Sequence, residues 1–215
     1  MKHSVQEMFN LGIYAITPDI DNLNRLVHLV EGALSGGVRL FQYRNKVSSP
    51  IRKLIAAQRI NEVILKAGGY LIINDDPQLV KLVNASGVHL GKNDQSLEAA
   101  RDMLGPHKII GVSCYDNLEM AIDMQSRGAD YVAFGAFFPS LSKASATPVS
   151  PCILQRAVKN GVHLPVVAIG GIKLDNAEEL LSQGPCTFAV INGLFGAKNV
   201  AERANDWIRL YDDFR

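Results

Sequence analysis

Cysteine is scarce in this 215-residue chain. The three present, Cys114, Cys152 and Cys186, are far apart, odd in number and form no C-x-x-C pair. Such usage argues against a disulfide framework and suits a reducing compartment. Net charge is scarce too, because 22 basic side chains stand against 21 acidic ones. A nearly neutral chain offers no broad basic face for nucleic acid, so an anionic ligand must be caught by locally placed groups. No apolar stretch approaches the roughly 18 residues that a membrane span needs. The start, Met1-Lys2-His3-Ser4, runs into polar Gln6 and Glu7 instead of an apolar signal core. A cytoplasmic protein is expected, with no nucleic-acid or membrane partner. No linker, low-complexity tract or charge run divides the chain, so residues 1–215 read as one domain, free to be a monomer or a small homo-oligomer.

What the sequence has is alternation. Short apolar, β-branched runs at 12–17, 38–42, 70–73, 87–90, 109–113, 130–134, 166–169 and 188–191 read as strands. They are continuous in hydrophobicity, as parallel strands buried on both faces should be. Between and after them, helical periodicity covers 23–35, 50–66, 77–83, 96–103, 118–127, 151–160, 176–182 and 197–212. Several of these helices run into glycine, as at Gly36-Gly37, Gly68-Gly69 and Gly105, where a left-handed residue ends a helix cheaply. Others start at Asn117, Ser150-Pro151 or Asp175, all good cap or first-turn residues. Eight strand–helix units in about 27 residues each predict an α/β fold, a single (β/α)8 TIM barrel of parallel strands. An open doubly wound sheet is the structural alternative.

In such a barrel the chemistry sits beyond the C-terminal strand ends, and polar residues gather there. After the second strand stands Gln42-Tyr43-Arg44-Asn45-Lys46. In extended chain Gln42, Arg44 and Lys46 share a side and form either a grip for a diphosphate or a pair of solvated surface cations. The third strand ends in Asn74-Asp75-Asp76-Pro77, and the fourth leads through His89 to Gly91-Lys92-Asn93-Asp94. Asp75 and Asp94, at the mouths of adjacent strands, could share one magnesium ion with substrate oxygens. Helix capping is the competing explanation, since Asp76 precedes a proline-initiated helix and Asp94 precedes the next one. His89 reads as a hydrogen-bonded wall or a base, and Lys92 is left unassigned. Ser113 ends the fifth strand and could reach a ring nitrogen or a phosphate oxygen, while Cys114 reads as packing or mouth lining. The late strands lead into Ile169-Gly170-Gly171-Ile172 and Ile191-Asn192-Gly193, either a phosphate cup or simply tight turns. The one long connection, 135–150, carries Lys143 and reads as a lid or a surface insertion. Two anion sites on one mouth suggest two phosphorylated substrates, or one with a phosphate at each end.

Taken together, the runs Gly12-Ile13-Tyr14-Ala15-Ile16-Thr17, Gln42 to Lys46, Ile72-Ile73-Asn74-Asp75, Gly87-Val88-His89-Leu90-Gly91, Ile109 to Ser113 and Ala168 to Ile172 resemble the thiamine-phosphate synthase family over nearly the full length. That resemblance implies two substrates, an aminopyrimidine bearing a hydroxymethyl diphosphate and a thiazole, or its carboxylated tautomer, bearing an ethyl phosphate. It implies that Gln42, Arg44, Lys46, Asn74, Ser113 and Lys143 hold the pyrimidine diphosphate, with Arg44, Lys46 and Lys143 catalytic. It further implies that Asp75 and Asp94 bind Mg²⁺, and that Ser140, Ser142, Gly171, Ile191 and Asn192 hold the thiazole phosphate. The family often has threonines before the loop lysine and serine after the eighth strand; this chain has Ser140-Leu141-Ser142 and Asn192. The rival readings are a thiazole tautomerase of the same fold, a non-catalytic thiamine-phosphate-binding module, and a phosphate-handling isomerase or epimerase with His89 as base.

Overall fold

A strand can be apolar on both faces only if both are covered, and the way this chain covers them determines where the polar residues end up. The structure, a computed structural model, describes residues 5–10, 12–139 and 148–213. A helix α1 (Val5–Phe9) precedes β1 (Tyr14–Ile16), α2 (Leu23–Ser35), β2 (Leu40–Tyr43), α3 (Pro50–Lys66), β3 (Tyr70–Asn74) and α4 (Pro77–Val83). Then come β4 (Gly87–Leu90), α5 (Leu97–Leu104), β5 (Ile109–Tyr115), α6 (Leu118–Ser126), β6 (Tyr131–Gly135) and α7 (Cys152–Lys159). The chain finishes with β7 (Val166–Ile169), α8 (Leu174–Leu181), β8 (Thr187–Val190), α9 (Asn192–Phe195) and α10 (Val200–Asp213). All neighbouring strands pair in parallel, and β8 returns to β1 through Tyr14↔Ala189 and Ala15↔Val190, closing an eight-stranded barrel. The open-sheet alternative is thereby excluded.

Side chains alternate along each strand between two cores. Ala15, Phe41, Ile73, Val88, Ile110, Val132, Ala168 and Phe188 point outward into the shell between sheet and helices. Tyr14, Ile16, Leu40, Ile72, Ile109, Tyr131, Ala133, Val167 and Ala189 fill the barrel interior. Towards the C-terminal ends the inward positions become polar: Gln42, Asn74, His89 and Ser113 follow from the same period of two. Cys114, fully buried, belongs to the outer shell, so its role is packing and not mouth lining.

Local signals place the helices. Side chains of Asn22, Asp76, Ser96 and Asn117 each accept a backbone N–H in the first turn, a cap worth about 1 kcal/mol. The expected bounds of α2, α3, α4, β4 and β7 agree with the structure at both ends. Strand β5 runs two residues further than expected, through a bulge between Ser113 and Tyr115, where Tyr115 takes a left-handed φ of 56°. Helix α8 begins at Leu174 and α10 at Val200, earlier and later than the periodicity suggested. Two short helices, α1 and α9, of five and four residues, were not anticipated because neither completes two turns of a hydrophobic pattern. Among the described residues no helix is long and apolar enough to cross a membrane.

Helix α1 gives the barrel its floor. Met8 and Phe9 are 3% and 2% exposed and belong to the interior core. The Phe9 ring lies 4.6 Å from that of Tyr131 and 5.9 Å from that of Tyr14. Thr187 Oγ1 donates to the Phe9 carbonyl at 2.7 Å, tying the helix to β8. Phe9→Ala should therefore destabilise the protein by about 3–5 kcal/mol, read as a lowered urea midpoint with an unchanged slope.

Candidate active site

A cavity of about 700 Å³ opens at the C-terminal end of the barrel, within the roughly 300–1,000 Å³ of small-molecule sites. Its floor is apolar, formed by Ile16, Ala133, Val167 and Ala189. Its wall collects Gln42, Arg44, Lys46, Asn74, Asp75, Asp94 and Ser113 on one side, and Gly171, Ile191 and Asn192 on the other. Ten of the residues expected at the site from sequence therefore share one cavity. The remaining three, Ser140, Ser142 and Lys143, lie outside the described residues, as does half of the expected lid.

The cationic wall is held by the loop after β1. Thr17, fully buried, accepts from the Arg44 backbone N–H at 3.0 Å and donates to the Arg44 carbonyl at 3.1 Å. Asp19 accepts from Arg44 Nη1 at 2.5 Å and from the Lys46 backbone N–H at 2.7 Å. Asn45 turns the other way, its Oδ1 accepting from the backbone N–H groups of Val47 and Ser48. The alternation expected for Gln42, Arg44 and Lys46 is what the cavity shows, and Asp19 sets the aim of the guanidinium.

The acidic wall separates three roles within Asn74-Asp75-Asp76. Asn74 lines the cavity, and Asp76 turns away to cap α4, accepting from the Leu79 N–H at 2.9 Å. Asp75 stands between them in a left-handed conformation, φ 65°. Few non-glycine residues adopt that geometry, and Asp is one of the more tolerant. Burial, with the Asp94 carboxyl hydrogen-bonded beside it, pushes Asp75 up to about 6 despite the opposing pull of Lys46. Lys46 Nζ is 3.7 Å from Asp75 Oδ2. Asp94 Oδ2 accepts from the Gly91 N–H at 2.6 Å, and Tyr115 OH accepts from the Lys92 N–H at 3.1 Å, so the loop is pinned from both ends. The capping explanation fails for Asp94, because Ser96 caps α5.

Burial first, and the neighbouring Asp94 carboxyl second, disfavour a charged Asp75, and Lys46 offsets only part of this. Among the described residues no group of three or more acidic, histidine or cysteine side chains surrounds them. A pair of carboxylates that leaves most positions to water and phosphate oxygens suits magnesium, which keeps several such ligands. As a donor set, Asp75 and Asp94 fit a hard divalent cation such as magnesium.

Across the mouth the chain forms a cup. Gly170 and Gly171 have φ of 104° and 63°, and a Cβ on Gly171 would lie 2.5 Å from the Pro139 carbonyl oxygen, so only glycine fits. Asn176 staples this turn: its Oδ1 accepts from the Lys173 N–H at 2.8 Å and its Nδ2 donates to the Gly171 carbonyl at 3.1 Å. After β8, the short α9 opens at Asn192 with no side chain capping its first turn. A glycine turn after the seventh strand and a short extra helix opening directly after the eighth occupy the usual phosphate position in barrels.

His89 is no free base. Its Nδ1 lies 2.8 Å from Tyr131 OH and its Nε2 2.8 Å from Ser113 Oγ. The residues that sequence reasoning missed, Tyr14, Thr17, Asp19, Tyr115, Tyr131 and Asn176, mostly hold other site residues in place. Only the period of two in β1 and β6 could have flagged Tyr14 and Tyr131 as inward.

A family model described as thiamine monophosphate synthase matches residues 13–194. A protein named thiamine-phosphate synthase from Nitrosomonas eutropha is 46% identical over 200 residues, 93% of this chain and 94% of its own length. One of the same name from Methylococcus capsulatus is 41% identical over 212 residues, 98% of this chain and 94% of its own. Among solved structures, a thiamine phosphate pyrophosphorylase from Pyrococcus furiosus superposes with a TM-score of 0.85 at 31% identity, covering 97% of this chain and 98% of that one. Agreement over so much of both lengths takes in the barrel and both walls of the cavity together: the chain belongs to the thiamine monophosphate synthase family.

Proposed function

We propose that this transferase of thiamine biosynthesis joins 4-amino-2-methyl-5-(diphosphooxymethyl)pyrimidine to thiazole ethyl phosphate, or its carboxylated tautomer, releasing diphosphate and, from the carboxylated form, carbon dioxide. The observation that carries the reading is one cavity with two differently built anion walls. The wall of Arg44, Lys46, Asp75 and Asp94 offers both signs of charge, which a metal–diphosphate needs and a monophosphate does not. The glycine cup opposite suits a single phosphate. A tautomerase would use the cup alone and has no need of the charged wall.

In the reaction the bond between the pyrimidine methylene carbon and the diphosphate oxygen breaks, and its electron pair leaves with the oxygen. Arg44 and Lys46, with Lys143 from the long connection, take up the charge that develops on that leaving group. Asp75 and Asp94 would hold a magnesium ion, which when bound would supply further charge neutralisation there. The electron-rich ring spreads the cation left on the methylene carbon, and the thiazole nitrogen contributes its lone pair to form the new C–N bond. No protein nucleophile is needed, in keeping with a cavity in which the one histidine among the described residues is committed to hydrogen bonds at both ring nitrogens. The residues position, stabilise charge and exclude water. Ser140 and Ser142 join Gly171, Ile191 and Asn192 as contacts to the thiazole phosphate in this reading.

Purified protein given both substrates and Mg²⁺ should form thiamine phosphate and diphosphate in equal amounts; binding of both without product would point instead to a binding module. Asp75→Ala and Asp94→Ala should each raise the Mg²⁺ needed for half-maximal rate by at least the roughly 10–100-fold that loss of a supporting metal contact costs. An unchanged Mg²⁺ titration in both would remove the metal assignment. Lys143→Ala should lower kcat while leaving the KM for thiazole phosphate in place. For Asp19→Asn, which slackens the hold on Arg44 and Lys46, the KM for the pyrimidine diphosphate should rise about tenfold, the worth of one charged hydrogen bond, with thiazole phosphate again unaffected.

A further inference from the structure

Five side chains from five strands form one continuous chain of hydrogen bonds beneath the cavity. Gln42 Nε2 donates to Tyr14 OH at 2.9 Å, and Tyr14 OH lies 3.0 Å from Tyr131 OH. Tyr131 OH lies 2.8 Å from His89 Nδ1, and His89 Nε2 lies 2.8 Å from Ser113 Oγ. Tyr14 and Tyr131 are 1% and 0% exposed, and burial raises both phenols, so they keep their protons. Gln42 and Ser113, the two ends, line the cavity together with Tyr14 and His89, and Tyr131 lies fully buried behind them.

Proton counting gives this chain a direction. A phenol has one proton to give. Tyr14 accepts from Gln42, so its own proton goes to Tyr131; Tyr131 must then donate to His89 Nδ1. His89 is left with its proton on Nε2, which donates to Ser113 Oγ. The Ser113 proton is therefore free to point into the cavity, and the Gln42 amide oxygen, not spent on Tyr14, is the other end. Reversing any one link reverses them all: Gln42 would then offer its NH₂ and Ser113 only lone pairs.

We infer that Tyr14, Tyr131 and His89 are positioning residues that lock the site floor into one polarity, an acceptor at Gln42 Oε1 and a donor at the Ser113 hydroxyl, and so select a 4-aminopyrimidine over its 4-oxo counterpart. This rests on the pyrimidine reading above. An aminopyrimidine offers an amino donor and ring-nitrogen acceptors, the complement of that pair. The 4-oxo ring replaces the amino donor with a carbonyl, which meets the Gln42 oxygen with like polarity. Gln42 does not rotate its amide alone, because the turn reverses the Tyr14, Tyr131, His89 and Ser113 links with it. The fit of Tyr131 into this chain depends on Gly111, its partner across β5 and β6: a Cβ there would lie 1.9 Å from the Tyr131 ring.

The test has two arms. The first needs no ligand. Long-range ¹H–¹⁵N spectra of histidine-labelled protein, with His89→Asn to assign the signal among the five histidines, should show His89 as the Nε2–H tautomer. The Nδ1–H tautomer, or a rapid mixture of both, would overturn the polarity. The second arm compares dissociation constants for the aminopyrimidine diphosphate and its 4-oxo analogue. Tyr131→Phe cuts the chain in the middle without changing ring size, and should lower the preference for the amino ligand about tenfold or more while thiazole phosphate binding stays as it was. Tyr14→Phe should do the same by freeing Gln42. An unchanged preference in both variants would show the tyrosines to be mere packing. Failure of the wild type to bind either pyrimidine would sink the functional reading and the selectivity with it, and the tautomer would still decide the polarity.

Discussion

The pairing of β1 with β8 is the constraint on which everything else in the molecule depends. Once Tyr14 stands opposite Ala189 and Ala15 opposite Val190, eight strands point the same way around one axis. Their C-terminal ends then share a single rim. Residues as far apart as Gln42 and Asn192 become walls of one cavity without any long loop reaching between them. Closure also divides each strand into an outer row that anchors helices and an inner row that fills the barrel. Apart from Thr187, tied to the floor, the inner row gathers its amide, imidazole and serine groups at its upper end, so the same alternation that builds the core delivers the functional groups.

Charge is handled locally, in keeping with a chain that is nearly neutral as a whole. Arg44 is not left as a loose surface cation, because Asp19 takes one side of it and Thr17 fastens its backbone. Asp75 and Asp94 are held against one another by a strained backbone on one side and a pinned loop on the other. Such crowding of like charge is unfavourable, and Lys46, 3.7 Å from Asp75, offsets part of it. The uncharged glycine cup opposite relies on backbone alone.

Much of this was legible in the sequence, for identifiable reasons. Continuous apolar strands and glycine-terminated helices announce a parallel α/β fold, and the spacing of Gln42, Arg44 and Lys46 announces a shared face. Asn74, Asp75 and Asp94 could be placed at strand mouths for the same reason. The chain of Tyr14, Tyr131 and His89 could not, because Tyr14 and Tyr131 are 117 residues apart and each looks like an ordinary core aromatic in its own strand. Asp19 was equally silent: a lone acid after a strand says nothing until the arginine it faces is known. Asp94 was visible as an acid, yet only the structure separates it from the capping role that Ser96 performs.

The close seating of the Tyr131 ring over Gly111 also limits how this barrel can change over time. No side chain can be added at 111 while the ring remains, and shrinking residue 131 first would empty a space at the centre of the molecule and break the line of protons through it. Neither single step is neutral, so the two positions are bound to each other's history. A lineage holding this pair can leave it only by a paired exchange, and the order of the two changes decides whether the intermediate loses packing or loses its ligand.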